Sequence, residues 1–215
     1  ATRVKAPDEL YEQIPRVKEM VRSFDIPIYE QSGFEADDLI GTITKQLSKI
    51  DKVVLTGDMD TTQLVDGKTK IYTLRKGMTD TVLLDADGVK EKFGVTPGQI
   101  IDYKALRGDP SDNIPGVKGI GEKTAAELLQ EFGTLEKLYT ALADETPKAK
   151  KIREAIREKL LTSKTNAFMS QKLATIKRDV PVNLDFEAAA VHTFDRNRVV
   201  EIFHELNFKS LLAKI

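Results

Sequence analysis

The stretch Gly108-Asp-Pro-Ser-Asp-Asn-Ile-Pro-Gly-Val-Lys-Gly-Ile-Gly-Glu-Lys-Thr-Ala125 constrains the fold of this chain more than any other. Gly116, Gly119 and Gly121 fall between two segments of helical apolar spacing. The backbone must turn tightly there before a new helix opens at Glu122. The first N–H groups of that helix have no partner within it and attract phosphate. Lys118 and Lys123 add charge and Thr124 a hydroxyl donor. Gly116, Lys118, Gly119, Gly121, Lys123 and Thr124 are therefore candidate contacts to a nucleic-acid backbone, which such groups hold without reading its sequence. The plainer reading is a helix–turn–helix joint with a left-handed glycine cap. Just upstream, Asp109 and Asp112 stand at i and i+3, a spacing that can hold a hard cation or cap a turn.

The rest of the chain divides into two kinds of pattern. Residues 8–24 carry apolar positions Leu10, Ile14, Val17, Val21 and Phe24 at helical spacing, with Pro15 inside the pattern as a candidate late start. A short strand is expected at Ile26–Tyr29 and a helix from about Glu35 to Leu47, with Leu39, Ile40, Ile43 and Leu47 on its buried side. Val53–Thr56 reads as a parallel strand buried on both faces. A helical turn follows near Thr61–Leu64, and Ile71–Leu74 with Thr81–Leu84 reads as a hairpin around Arg75–Asp80. This alternation argues for an α/β core. From Asp85 the pattern turns helical, with helices expected at 85–93, 97–106, 122–131, 134–142, 148–161 and 163–172. Pro97 fits a first helical position and Thr134 a cap. Residues 179–186 read as extended, and a last helix is expected at about Asp195–Leu206.

Composition narrows the class. Hydrophobic content of 40% beside 31% charged residues suffices for a packed core and argues against wholesale disorder. Without cysteine there are no disulfides, thiolate metal sites or Cys nucleophiles, which fits a reducing cytosol. No apolar run approaches the roughly 20 residues of a membrane helix, and no signal-peptide pattern is present. The first residue is Ala1, as in a chain processed or cut from something longer. Net charge is −1, but its distribution is uneven. Residues 30–60 hold 7 Asp/Glu against 3 Lys, while residues 115–178 hold 13 Lys/Arg against 8 Asp/Glu. An acidic segment followed by a basic one suits metal binding by the first and phosphate binding by the second. Two ordinary solvated surfaces would look the same.

Three acidic groups carry the candidate chemistry: Glu35, Asp37 and Asp38; Asp58 and Asp60; Asp109 and Asp112. Asp58 and Asp60 follow the strand at Val53–Thr56, and open α/β sheets gather their sites at the carboxyl ends of strands. Glu35 and Asp38 share one face of a helix start. Converging carboxylates repel unless cations lie among them. Mg²⁺ and Mn²⁺ favour such oxygen donors, and a pair of them can activate water and stabilise the leaving oxygen of a phosphodiester. Taken singly, each group has a structural explanation: favourable charge at a helix start, or turn capping.

The motifs Gly-Phe-Glu-Ala-Asp-Asp (33–38), Leu-Thr-Gly-Asp-Met-Asp (55–60) and Arg-Gly-Asp-Pro-Ser-Asp-Asn-Ile-Pro-Gly-Val-Lys-Gly-Ile-Gly-Glu-Lys-Thr-Ala (107–125) together resemble the 5′-nuclease domains of bacterial DNA polymerases I, in the flap-endonuclease superfamily. The similarity runs over the whole chain, including Pro-Asp-Glu-Leu-Tyr-Glu-Gln-Ile-Pro-Arg (7–16) and Phe208-Lys-Ser-Leu-Leu212. It implies a Rossmann-like (PIN/5′-nuclease) α/β core with a mostly parallel sheet, plus a helix-hairpin-helix-type DNA-binding module. The expected divisions are 1–96 for the core, 97–178 for the duplex-binding module and 179–215 for a segment returning to the core.

The resemblance also implies structure-specific 5′→3′ exonuclease and flap cleavage in primer removal and repair. Glu35, Asp37, Asp38, Asp58, Asp60, Asp109 and Asp112 are the implied catalytic and metal-binding residues, with two Mg²⁺ or Mn²⁺ ions. The hairpin is implied to hold duplex DNA bearing a 5′ flap or nick, with K⁺ or Na⁺ at carbonyls near Val117 and Ile120. A cytoplasmic bacterial monomer fused to a polymerase domain is expected. The family's opening strand, two further aspartates and arch have no counterpart after Ala1, so the chain is expected to be a truncated domain of low activity. The alternative reading is a duplex-DNA-binding fragment without catalysis. A related PIN-type RNase is disfavoured by the hairpin.

Overall fold

A computed structural model describes residues 6–76, 80–191 and 193–215. In chain order, helices α1 (Asp8–Ser23) and α2 (Ala36–Gln46) precede strand β1 (Lys52–Leu55) and a 3-10 helix at Met59–Leu64. Strands β2 (Thr69–Lys76) and β3 (Asp80–Leu84) follow, then helices α3 (Ala86–Phe93) and α4 (Ile100–Arg107). Beyond a 3-10 turn at Pro110–Asp112 come α5 (Glu122–Phe132), α6 (Leu135–Ala143), α7 (Pro147–Lys150), α8 (Glu154–Thr162), α9 (Lys164–Ala174), α10 (Arg196–Glu205) and α11 (Lys209–Leu212). Two compact units result, one of residues 1–34 with 181–215 and one of residues 35–180.

In the first unit, Pro7 precedes α1 and Asp8 and Glu9 fill its first turn, where negative charge is favourable. Helix α1 starts there and carries Pro15 in its interior, so the proline does not delay the start. Phe24 packs against Phe194 at 4.9 Å and Phe203 at 6.1 Å between ring centroids, and Phe203 meets Phe208 at 6.0 Å. Arg16 pairs with Glu205 at 2.6 Å and Arg198 with Glu19 at 2.7 Å, which fastens α1 to α10. Ile26–Tyr29, expected as a strand, belongs to no sheet: these residues find no ladder partner among the described residues.

The second unit holds the sheet, in the order β1-β2-β3. Strand β1 runs parallel to β2, with Lys52 beside Thr69 and Leu55 beside Tyr72. Strand β3 returns antiparallel to β2, pairing Ile71 with Leu84, as the hairpin reading expects. The turn itself lies largely outside the described residues. The α/β core is thus present, and the parallel character expected of its sheet resides in the β1–β2 pair. One face of the sheet is core, through Val54, Ile71 and Leu84 with Val89 of α3. The other leaves Val53 62% and Leu55 73% exposed, beside Tyr72, Leu74 and Leu83. The expectation that Val53–Thr56 is buried on both faces is therefore wrong for the described residues. Successive residues of β1 alternate between a covered and an open face.

Helix α4 is the axis of the helical half, packed against α9 and α5. Ile100, Leu106, Leu129, Leu135, Leu138 and Leu160 are fully buried around it. Asp102 is buried here too, accepting hydrogen bonds from the Leu135 N–H (3.0 Å) and Gln171 Nε2 (2.8 Å). Burial pushes its carboxyl up, against the lowering effect of those two donors. Burial likewise pushes the Tyr139 hydroxyl up to about 12, while that hydroxyl donates to the Leu160 carbonyl at 3.0 Å. The single helix expected at 148–161 is two, α7 and α8. The N–H groups of Lys151 and Ile152 turn back three residues onto Lys148 and Ala149, and Arg153 leaves the helical region at ψ 134°, which ends one helix and opens the next. Among the described residues no helix is long and apolar enough to cross a membrane.

Candidate functional site

The carboxyl end of β1 leads through Thr56 and Gly57 into Asp58, whose side chain accepts the Asp60 N–H at 2.9 Å and so caps the 3-10 helix. Thr61 secures the same turn by donating to the Asp58 carbonyl at 2.6 Å. The turn sends the Asp60 carboxylate to α4, where Oδ1 accepts from Lys104 Nζ. Helix α4 ends at Gly108, at φ +79°, and the chain then doubles back on itself. Asp109 and Ile114 exchange two backbone hydrogen bonds of 2.8 Å. Within this loop Asp109 Oδ1 accepts from the Ser111 N–H at 3.0 Å, while Oδ2 accepts from Lys104 Nζ at 2.8 Å. Asp112 closes the 3-10 turn at Pro110–Asp112. Carboxylate oxygens of Asp60, Asp109 and Asp112 lie within 4.8 Å of one another.

Lys104 is 8% exposed, Asp60 14% and Asp109 15%, so these charges face one another with little solvent between them. Burial alone would raise the Asp109 carboxyl, but the hydrogen bonds and charge of Lys104, together with Ser111, outweigh it and hold the group at about 2. Two carboxylates within 4.8 Å of each other repel by at least about 3 kcal/mol at an effective dielectric of ~20. Three carboxylates against one ammonium leave two negative charges uncompensated, a deficit that one divalent cation would cancel. The donor set is all hard oxygen, which suits Mg²⁺ or Mn²⁺.

The other expected residues are placed differently. Glu35 precedes α2, and its N–H donates to Asp38 Oδ2 at 3.4 Å, part of a capping box. Asp38 Oδ1 accepts the Lys177 N–H at 2.8 Å. Burial pushes the Asp37 carboxyl up, reinforced by the charges of Asp38, Glu35 and Asp58. Asp37 thus lies within the field of the Asp58 group. The grouped metal-type oxygens among the described residues are those of Asp60, Asp109 and Asp112 alone. Both oxygens of Asp38 and Oδ1 of Asp58 accept backbone N–H groups.

Lys104 is the site residue that sequence reasoning missed. Its signal is position: it follows the fully buried Ile100 by four residues, on the core-facing side of α4. A lysine there demands an acidic partner.

The hairpin begins two residues past Ile114. Gly116 adopts φ +60°, and a Cβ at that position would stand 2.3 Å from the Gly108 nitrogen, so only glycine fits. Its N–H donates to Oγ of the fully buried Ser170 at 3.0 Å. The Val117 N–H donates to the Leu106 carbonyl at 2.9 Å, which ties the hairpin to α4. The side chains of Val117 and Ile120 are buried, and the Ile120 N–H closes the turn onto the Val117 carbonyl at 3.0 Å. Gly121 then precedes α5 in an extended conformation. Lys118 and Lys123 are exposed and Thr124 is half-buried. Glu122, which would oppose an anion at this helix start, is neutralised by Arg107 at 2.8 Å. One helix therefore serves both places: α4 gives Lys104 to the acidic group and Arg107 to the hairpin helix.

Two family models match the chain. Residues 1–94 match the 5′-3′ exonuclease N-terminal resolvase-like domain, and residues 95–197 the 5′-3′ exonuclease C-terminal SAM fold. DNA polymerase I of Caldicellulosiruptor bescii is 45% identical over 219 residues, covering 100% of this chain and 25% of the relative. DNA polymerase I of Bacillus subtilis is 44% identical over 215 residues, covering 99% and 24%. The chain thus spans about a quarter of the length of these relatives. Among solved structures, a bacteriophage T5 5′-exonuclease with bound zinc ions superposes with a TM-score of 0.66 at 21% identity, covering 96% of this chain and 72% of that one. The catalytic core of Rad2 in complex with a DNA substrate superposes with a TM-score of 0.60 at 20% identity, covering 98% and 69%. These two likenesses establish the fold, and the family models, which together account for residues 1–197, establish more: the chain belongs to the 5′-3′ exonuclease family, in the nuclease portion shared with bacterial DNA polymerases I.

Proposed function

We propose that this chain grips duplex DNA bearing a 5′ flap or nick and takes part in its metal-dependent hydrolysis, as the 5′→3′ exonuclease and flap-endonuclease portion of a bacterial, cytoplasmic DNA polymerase I active in primer removal and repair. The observation that carries this reading is the convergence of Asp60, Asp109 and Asp112, the first two paired with Lys104, within a few residues of the hairpin. Asp60, Asp109 and Asp112 would hold the inner divalent cation, Mg²⁺ or Mn²⁺. Glu35, Asp37, Asp38 and Asp58 would shape the surrounding field and complete a second position. Such ions, when bound, supply Lewis-acid activation of water and of the phosphodiester.

The residues of the chain do the rest. The carboxylates hold charge and do not attack covalently. Lys104 keeps Asp60 and Asp109 at a fixed separation and offsets part of their repulsion. Gly116, buried against Gly108 and bonded through its N–H to Ser170, shapes the hairpin, while the exposed Gly119 and Gly121 let the DNA backbone approach, with Lys118, Lys123 and Thr124 as donors to phosphate. The hairpin carbonyls near Val117 and Ile120 would take a K⁺ ion. We assign residues 1–96 to the nuclease core, 97–178 to duplex binding and 179–215 to a closing segment, working as a monomer joined to a polymerase domain.

A 5′-flap duplex labelled at its 5′ end tests this reading. Cleavage that requires Mg²⁺ or Mn²⁺ and falls at least about 100-fold in Asp109→Asn is expected. Cleavage that persists in excess chelator would contradict it. Salt-sensitive duplex binding with no cleavage would favour the other reading, a duplex-binding chain without catalysis.

A further inference from the structure

A lysine outside the hairpin reaches its tip. Lys159, on α8, places Nζ 3.3 Å from the Gly119 carbonyl oxygen and donates to it. Gly119 has φ +82°, and its missing side chain leaves room for the lysine itself. A Cβ there would lie 2.7 Å from Nζ, 3.2 Å from Cε and 3.5 Å from Cδ of Lys159. The aliphatic stem therefore runs along the face of the hairpin that glycine leaves open.

An ammonium has three donors, and the carbonyl takes one. Lys159 is exposed, and no ion pair among the described residues engages it. Two donors remain for an anion. Gly119 stands two residues before Gly121, which opens α5, so Nζ lies within roughly 10 Å of the first free N–H groups of that helix. That is on the order of the separation between neighbouring phosphates of one strand, which exceeds the ~3.4 Å axial rise. Lys118 is exposed and Lys123 has only a 3.9 Å surface ion pair with Glu127, whereas Lys159 is held against the hairpin by a backbone acceptor before any DNA arrives. A charge held this way loses less conformational freedom on binding.

Resting on the duplex-gripping reading above, we infer that Lys159 is a fixed backbone-phosphate contact, its ammonium bridging the Gly119 carbonyl and a phosphate oxygen of the bound duplex. Helix α8 then joins α5 in holding the strand, and the hairpin tip is set at the right height by the same side chain that meets the phosphate.

The test is the affinity for a fluorescent nicked duplex, measured by anisotropy between about 50 and 200 mM salt. The parent chain is compared with Lys159→Met, Lys159→Gln and Lys159→Arg, with folding of each checked by circular dichroism. Loss of one phosphate contact lowers the slope of log affinity against log salt by about 0.9. Lys159→Met and Lys159→Gln are expected to show that loss, and Lys159→Arg to restore the parental slope. Gln keeps a donor for the Gly119 carbonyl, so it retains the clasp and separates a missing charge from a disturbed hairpin. A parental slope in Lys159→Gln, with the parent binding normally, would overturn the phosphate contact and leave the duplex reading standing. Failure of the parent itself to bind duplex at low salt would overturn both.

Discussion

At the scale of single residues, the site is a balance of four charges. Among the described residues Lys104 is the buried cation facing Asp60 and Asp109, and it sets which protonation states the fold favours. The Asp109 carboxyl is held at about 2, below its ordinary value of 3.8, because the donors from Lys104 and Ser111 overcome the effect of burial. A depressed carboxyl adds stability that is complete above the ordinary carboxylate range and is lost as pH falls toward 2. In chelator, denaturant unfolding of the parent chain between pH 5 and pH 2, both approximate bounds of that window, should reveal a loss from this group on the order of 2 kcal/mol. Asp109→Asn should lack that component. An unchanged pH profile in the variant would show that Lys104 does not hold Asp109. The acidic residues themselves were legible in the sequence as three motifs. Lys104 was not, because its meaning depends on Asp60, 44 positions away, arriving at the same point in space.

At the scale of elements, the hairpin was legible in detail and the sheet only in outline. Glycines at 116, 119 and 121 announce a turn, and Gly116 and Gly119 do adopt positive φ, while Gly121 is extended. The distinction is testable. Gly116→Ala would place a Cβ 2.3 Å from the Gly108 backbone nitrogen at an unfavourable φ, so a destabilisation above about 2 kcal/mol and loss of duplex binding are expected. Gly121→Ala meets nothing within 4 Å and should cost no more than about 1 kcal/mol. Equal melting temperatures for the two variants would contradict the packing described for Gly116. The strand at Val53–Thr56 was found in the right place, but its apolar composition suggested two covered faces where the described residues cover one. A run of valine and leucine records what a strand can pack against, and the partners come from elsewhere in the chain. The break between α7 and α8 was missed for a related reason: residues 148–161 have good helix formers throughout, and the Lys151–Arg153 turn follows from backbone hydrogen bonds that no single residue type announces.

At the scale of the whole molecule, residues 35–180 form one compact unit containing both the acidic group and the hairpin. Their common support is α4, which spans only Ile100–Arg107 and yet contributes Lys104, Leu106 and Arg107 to the two places. Charge distribution along the sequence sets acids early and basic residues late, yet two of the three grouped carboxylates, Asp109 and Asp112, lie outside the acidic segment 30–60. The proposed function requires that Asp60, Asp109 and Asp112 bind a divalent cation in the folded chain. Titration of Mn²⁺ followed by electron paramagnetic resonance, with Mg²⁺ as competitor, measures this directly. The parent chain should bind Mn²⁺ and release it to Mg²⁺, and Asp109→Asn should weaken binding at least about tenfold, or ~1.4 kcal/mol. Equal Mn²⁺ affinity in parent and variant, both folded, would contradict the metal centre.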